Sequence, residues 1–183
     1  MVMKVVCVAG MPGCGKEEFL KIAQEKGFSV IRMGDIVREE AEKRGLLMTD
    51  RAVGSFADEE RKKHDYGIWA RRTIPKITGE LCLVDGVRGP AETNIYKTAF
   101  PDKVFIVAVH ASPTTRLRRI LTRQRRDDPT NDIEFYERDK RELTWGIADV
   151  IALADFMIVN EGELEIMRPK AIEILDNIIS EGA

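Results

Sequence analysis

Residues Gly10-Met11-Pro12-Gly13-Cys14-Gly15-Lys16-Glu17 fit the phosphate-loop pattern GxxxxGK[ST] at every fixed position except the last. The pattern has meaning only between a strand and a helix. Both flanks comply: an apolar run, Val5-Val6-Cys7-Val8-Ala9, precedes it, and a helical pattern, Glu18-Phe19-Leu20-Lys21-Ile22-Ala23, follows. The two glycines and the lysine alone would match by chance in about 6% of chains this long. The flanks separate the motif from a plain strand-to-helix turn. Glycines let the N–H groups of Gly13, Cys14, Gly15, Lys16 and Glu17 converge on phosphate oxygens at a helix N-terminus, where partial positive charge gathers. Lys16 is placed to reach β- and γ-phosphates. Glu17 stands where Ser or Thr normally contacts Mg²⁺, so the metal side of the motif departs from the pattern.

A chain of 183 residues has the length for one domain, residues 1–183, with a single core. Its formal charge of −2 is not that of a dedicated nucleic-acid binder, so nucleic acid is not an expected partner. Three cysteines show no paired spacing. Cys7 and Cys82 fall in expected buried strands and read as inert core thiols. Cys14 lies in the loop, where a helix N-terminus lowers a thiol pKa, although a small loop-filling residue is the plainer reading. His64 and His110 have no Cys or His partner at ligand spacing, which argues against a metal cage made only of side chains. No secretory leader is read ahead of Val5, and no apolar run approaches the roughly 18–20 residues that cross a membrane. A cytoplasmic protein with no membrane partner is expected.

Short apolar runs alternate with helical patterns, which predicts an α/β fold with a mainly parallel sheet. Strands are expected at about 4–9, 29–32, 81–84, 103–109 and 155–159. Helices are expected near 16–26, 35–44, 50–63, 66–78, 90–99, 112–123, 132–152 and 163–180, with Gly27, Gly45, Gly79 and Gly162 as caps or turns. Asp50 and Asp132 read as helix N-caps. Residues 33–80 hold helices but no strand, an insertion of the kind that covers the ligand-binding edge of an open α/β sheet. Residues 116–126 hold six arginines, Arg116, Arg118, Arg119, Arg123, Arg125 and Arg126, with Asp127 and Asp128 following. Such a run is often only a wet helix face paired with acids such as Glu134 and Glu137.

Leu81-Cys82-Leu83-Val84-Asp85 ends the third strand in a carboxylate. Beside a phosphate loop, such a residue holds Mg²⁺ directly or through water. Alone the pattern is weak, because many strands end in Asp-Gly turns. Arg88 and Arg38 fall at the same sheet edge. Arginine suits phosphate because its planar fork gives two parallel charge-assisted hydrogen bonds. Their plainer readings are a solvated loop charge for Arg88 and a pair with Glu42 for Arg38. Trp69 and Trp145 flank the same region and read as core or an oligomer contact before base stacking.

The set resembles the nucleoside monophosphate kinases, adenylate kinase in particular. Gly34-Asp35-Ile36-Val37-Arg38 resembles that family's GD-hydrophobic-hydrophobic-R motif, whose arginine binds the acceptor's phosphate. Asp85-Gly86-Val87-Arg88 is similar to its DGFPR motif with one residue missing. Arg119-Ile120-Leu121-Thr122-Arg123 resembles its R-I-x-x-R segment before the lid, and Arg125-Arg126-Asp127-Asp128 its R-x-D-D after it. Arg138 matches a later lid arginine. The lid would then shrink to a turn over 124–131. Residues 154–164 look more like dephospho-coenzyme A kinase. End to end, the chain most closely resembles an archaeal family of adenylate-kinase-related P-loop proteins, through Ile31 to Asp35, Arg72 to Ile77, Val107 to Pro113 and Ala152 to Asn160.

The resemblance implies a P-loop nucleoside triphosphate hydrolase fold: a five-stranded parallel sheet flanked by helices, like a nucleoside monophosphate kinase with a short lid. It implies a kinase-type phosphotransferase moving the γ-phosphoryl of Mg²⁺-bound ATP or GTP to a small phosphorylated acceptor, with nucleoside monophosphates leading. A dephospho-coenzyme A kinase-like enzyme and a nucleotide-binding regulator with little turnover are the alternatives. Gly10 to Glu17 would bind the donor, Lys16 and Asp85 would serve catalysis, and Asp35, Arg38 and Arg88 would hold the acceptor. Arg119, Arg123, Arg125 and Arg138 would surround the transferred group. Asp85 and Glu17 are the metal candidates. Glu17 turned aside would leave the metal a ligand short, so Glu17→Ser is expected to raise activity. Small-molecule nucleotides are the expected partners, and a homodimer is left open.

Overall fold

The computed structural model describes residues 3–123, 128–162 and 164–181. The five apolar runs become five parallel strands: β1 (Lys4–Ala9), β2 (Ser29–Arg32), β3 (Leu81–Asp85), β4 (Val104–His110) and β5 (Phe156–Val159). Their order is β2-β3-β1-β4-β5. β1 is buried at every residue because strands flank it on both sides and helices cover both faces. That explains its unbroken apolar sequence, the mark of a parallel sheet's interior.

On one face, α1 (Lys16–Glu25) and α9 (Leu164–Ser180) pack Phe19, Leu20 and Ile22 against Ala171, Ile174 and Ile178. On the other lie α2 (Met33–Lys43), α3 (Asp50–Lys63), α4 (Ile68–Thr73), α5 (Pro90–Ala99) and α8 (Ile147–Ala152). There Met33, Phe56, Trp69, Tyr96 and Val150 share one core with Cys7 and Val84. The remaining helices are α6 (Pro113–Arg123) and α7 (Asp132–Thr144). Lys4 reaches out of β1 to hydrogen-bond the carbonyl of Ile179 at 2.9 Å and those of Ile178 and Glu181, capping the C-terminal end of α9. No helix among the described residues is long and apolar enough to cross a membrane.

Strand limits fall within a residue of those expected. Three helical expectations need correction. The N-caps are Thr49 and Asn131, each one residue earlier than expected, and their side chains accept from Ala52 N at 3.3 Å and Glu134 N at 3.0 Å. Residues 66–78 form only α4 and a 3-10 turn over 74–76, where Pro75 interrupts regular helix. The helix expected over 132–152 is two, α7 and α8, broken at Gly146, whose φ of 94° is left-handed. A Cβ there would meet Pro90 Cδ at 2.8 Å, and one on Gly89 would meet the Trp145 carbonyl at 2.3 Å. This close backbone approach seats the loop after β3 against the end of α7.

Candidate active site

The strand–loop–helix unit forms as the motif requires, with the loop Gly10–Gly15 between β1 and α1. Gly15 has φ 95°, and a Cβ on it would meet Asn160 Nδ2 at 2.1 Å, so the position admits only glycine. Asn160 Nδ2 donates to the Cys14 carbonyl at 2.9 Å, and Arg116 Nη1 donates to that of Pro12 at 3.1 Å. Arg116 itself is buried and bound by two hydrogen bonds to Asp139, at 2.8 and 2.5 Å, with its guanidinium over the Phe135 ring. An arginine whose plainer reading is a wet helix face therefore clamps the loop to α7. Lys16 Nζ folds back to the Gly10 carbonyl at 2.5 Å.

Around this loop a pocket of about 210 Å³ is lined by Gly10, Pro12 to Glu17, Arg32, Gly34, Arg38, Asp85, Gly86, Arg88, Arg123, Arg138 and Glu142. It brings together Lys16, Glu17, Arg38, Asp85, Arg88, Arg123 and Arg138 from five separate stretches of chain. The five arginines that line it each face a carboxylate. Arg32 meets Glu17 at 2.5 Å, Arg38 meets Asp35 at 2.5 Å, and Arg88 meets Glu142 at 2.7 Å. Arg123 meets Asp128 at 2.6 Å, while Arg138 lies 3.4 Å from Asp50 and 3.8 Å from Asp128.

Three readings change. Arg119 does not line the pocket: its guanidinium donates to the carbonyls of Asn160 and Gly162 at 2.9 and 3.2 Å, bracing the loop after β5. Arg38 pairs with Asp35 one turn back rather than with Glu42. Met11 is not among the pocket-lining residues. Arg125 and the first half of the 124–131 turn, residues 124–127, lie outside the described residues. Cys14 is buried under the loop with its Sγ 3.8 Å from Lys16 Nζ, which favours the loop-filling reading. Burial pushes the Cys7 thiol well up and the Cys82 thiol up, as expected of inert core cysteines.

A second cavity, of about 480 Å³, adjoins the first under α2 and α3. Both are walled by Gly34, Arg38, Gly86, Arg88, Arg138 and Glu142. Beyond that wall the larger cavity turns apolar, with Met33, Val37, Met48, Val53, Trp69 and Trp145. Both tryptophans are core residues that also face it. Trp69 Nε1 donates to the Ala57 carbonyl and Trp145 Nε1 to Asp58, with the Arg61 guanidinium 4.2 Å from the Trp145 ring centre.

Three residues escaped sequence reasoning. Glu142 is buried beneath the arginine wall. Burial would raise its pKa, but Arg88, Arg138, Lys16 and Arg141 outweigh that and hold it below the usual carboxylate value. Burial would likewise weaken the Arg88 charge, yet Glu142, Glu92 and Asp85 raise its pKa. Arg32 ends β2 inside the pocket. Asp50, released from capping, takes Arg141 at 2.6 Å as well as Arg138. Arg138 and Glu142 stand i, i+4 on α7, a spacing that hints only at a helix-surface pair, whereas the ion pairs of Glu142 with Arg88, Arg32 with Glu17 and Asp50 with Arg141 are not local in sequence. Asp85 Oδ1 is buried with no hydrogen-bond partner. An orphaned carboxylate oxygen beside a phosphate loop, near Lys16 but not paired with it, fits a divalent cation. No cluster of three or more His, Cys, Asp or Glu with metal-holding geometry occurs among the described residues, so protein groups alone would not cage that ion.

A family model described as an AAA domain matches residues 9–136. A UPF0200 protein of Thermoplasma volcanium is 47% identical over 172 residues, covering 93% of this chain and 96% of that protein. Among solved structures, a gluconokinase from Sinorhizobium meliloti superposes with a TM-score of 0.63 at 14% identity, over 98% of both chains. A dephospho-CoA kinase from Campylobacter jejuni does so with a TM-score of 0.54 at 15% identity, over 96% of this chain and 97% of that one. At these identities the two structures establish the fold, a P-loop kinase-like arrangement of five parallel strands flanked by helices.

Proposed function

The chain belongs to the UPF0200 family, and from its site we propose a phosphotransferase that moves the γ-phosphoryl of a Mg²⁺-nucleoside triphosphate to a small phosphorylated acceptor, a nucleoside monophosphate first. One observation carries the reading: a phosphate-loop pocket and a larger, partly aromatic cavity meet at a shared wall of Arg38, Arg88 and Arg138. A reaction joining two phosphate-bearing molecules needs two such spaces with cations where they meet. Phosphoryl transfer depends almost wholly on positioning and on stabilising charge spread over the moving group.

The loop amides and Lys16 hold the donor phosphates, Lys16 exchanging the Gly10 carbonyl for phosphoryl oxygens. Arg38 and Arg88 hold the acceptor's phosphate, while Arg123 and Arg138 face the group in transit. The apolar cavity takes the acceptor's body and excludes water. Asp85 would hold Mg²⁺ through its unpartnered oxygen. When bound, that ion neutralises charge on the β- and γ-phosphates. Cytoplasmic nucleotides are the corresponding partners. A coupled assay that screens nucleoside monophosphates and dephospho-coenzyme A against ATP and GTP tests the reading. Transfer to a monophosphate supports it. Triphosphate binding without transfer to any acceptor would favour a nucleotide-dependent regulator instead.

A further inference from the structure

Glu17 occupies the motif position normally given to Ser or Thr, and its Oε1 accepts from Arg32 Nη2 at 2.5 Å. Arg32 is also the register partner of Asp85 where β2 pairs with β3. Neighbouring strands lie about 4.8 Å apart, and paired positions of a parallel ladder present side chains to the same face. An arginine there is within easy reach of the Asp85 carboxylate, and charge favours that contact strongly. The structure takes the other option. Arg32 lies on Glu17, and Asp85 Oδ1 keeps no hydrogen-bond partner.

We infer that Glu17 is a positioning residue that holds Arg32 away from Asp85 and so keeps that carboxylate open for a divalent cation. The inference rests on the reading of Asp85 as the metal-holding residue. It turns one departure from the motif into two matched ones. A Ser at position 17 offers the cation an oxygen, but in this chain it also releases Arg32 to close on Asp85. Arg32 in turn neutralises the Glu17 carboxylate, which would otherwise repel the triphosphate. The expectation that Glu17→Ser raises activity is thereby reversed.

The test measures Mn²⁺ binding by electron paramagnetic resonance in the presence of a non-hydrolysable ATP analogue. The proteins are the wild type, Glu17→Ser, Glu17→Gln, Asp85→Asn and the double variant Glu17→Ser with Arg32→Leu. Thermal melts confirm that each is folded. Glu17→Ser and Glu17→Gln should each weaken Mn²⁺ affinity roughly tenfold, the scale of coupling between adjacent charges. The double variant should recover to within about threefold of the wild type, because no arginine remains to occupy Asp85. Undiminished Mn²⁺ affinity in Glu17→Ser overturns the inference. So does a double variant as weak as Glu17→Ser, which would make Glu17 itself a metal ligand. A wild type that binds no Mn²⁺, or an Asp85→Asn variant that binds it as tightly, overturns the Asp85 reading and the inference with it.

Discussion

Arg88 Nε lies 2.7 Å from Glu142 Oε2, an ion pair that ties the loop after β3 to the last turn of α7 where the two cavities meet. The close approach of Gly89 to the Trp145 carbonyl fixes the backbones on either side of this pair. Arg88 is therefore aimed before any ligand arrives. Glu142→Gln keeps the shape but removes the charge that aims it. We expect a fall of about tenfold in kcat/KM for the acceptor, and a stability loss of about 1–3 kcal/mol, because a charged hydrogen bond to a nearly buried partner is weakened. Urea unfolding and steady-state kinetics check this. Unchanged values in both would show the pair to be incidental.

Lys16→Ala should abolish triphosphate binding and leave the fold intact. The side chain donates to the Gly10 carbonyl and the Cys14 sulfur, both within the loop, and contributes little to packing. Calorimetry with ATP, alongside circular dichroism of the variant, decides it. Wild-type affinity in a folded variant would refute the phosphate-loop reading.

Replacing Arg38 or Arg88 with Ala should weaken acceptor binding far more than donor binding. Each charged hydrogen-bond pair lost costs on the order of 1.5–3 kcal/mol. Arg38 belongs at the lower end, because its side chain is 44% exposed against 26% for Arg88. Only Arg88→Ala should also destabilise the fold, since it deprives buried Glu142 of its nearest cation. Equal weakening of donor and acceptor would make both general electrostatic residues.

Glu60 links α3 to α2 and α4 by accepting from Arg44 at 2.8 Å and Arg72 at 2.6 Å. The Arg44 hydrogen bond, helped by Arg72, depresses its pKa from 4.5 to about 2. A depressed carboxylate stabilises the fold fully above its unfolded pKa and loses that contribution as pH falls through the folded one. The stability difference between wild type and Glu60→Gln should be largest above about pH 5 and vanish towards pH 2. Chemical unfolding of both proteins over that range measures it. A difference independent of pH would mean that Glu60 acts through packing alone.

Gly54 lies inside α3, where glycine costs roughly 0.5–1 kcal/mol relative to alanine. A Cβ there would meet Arg141 Cζ and Nε at 2.8 Å. Gly54→Ala should push that guanidinium aside, strain its pair with Asp50 and reshape the larger cavity. The helix gain offsets the lost pair, so stability should stay within about 1 kcal/mol while the acceptor KM rises several-fold. Gly54 and Arg141 both line the larger cavity, so an unchanged KM would show that the acceptor does not use this part of it.

The strands and the phosphate loop could be read from sequence because both are local patterns: β1 is apolar throughout, and the loop's glycines sit at fixed spacing. The break between α7 and α8 was hidden because Trp145-Gly146 sits in an otherwise continuous helical pattern. Only the distant Gly89 and Pro90 reveal why the chain turns left-handed there. Glu142, Asp50 and Arg32 were missed for a related reason. A carboxylate on a helix looks solvated until the fold brings an arginine from another element to meet it. Arg119 shows the converse, since its motif spacing said nothing of the Asn160 and Gly162 carbonyls that hold it.

The pairing of each pocket arginine with an acid of the same chain has a consequence for how salt acts on the protein. A bare cationic groove attracts mobile anions from solution, and a phosphate ligand must drive them off, so its affinity falls steeply as ionic strength rises. Here Glu17, Asp35, Glu142, Asp128 and Asp50 already serve as tethered counter-ions. A phosphate entering the pocket displaces carboxylates that cannot diffuse away and that return when it leaves. Nucleotide affinity should therefore vary little across a wide range of salt.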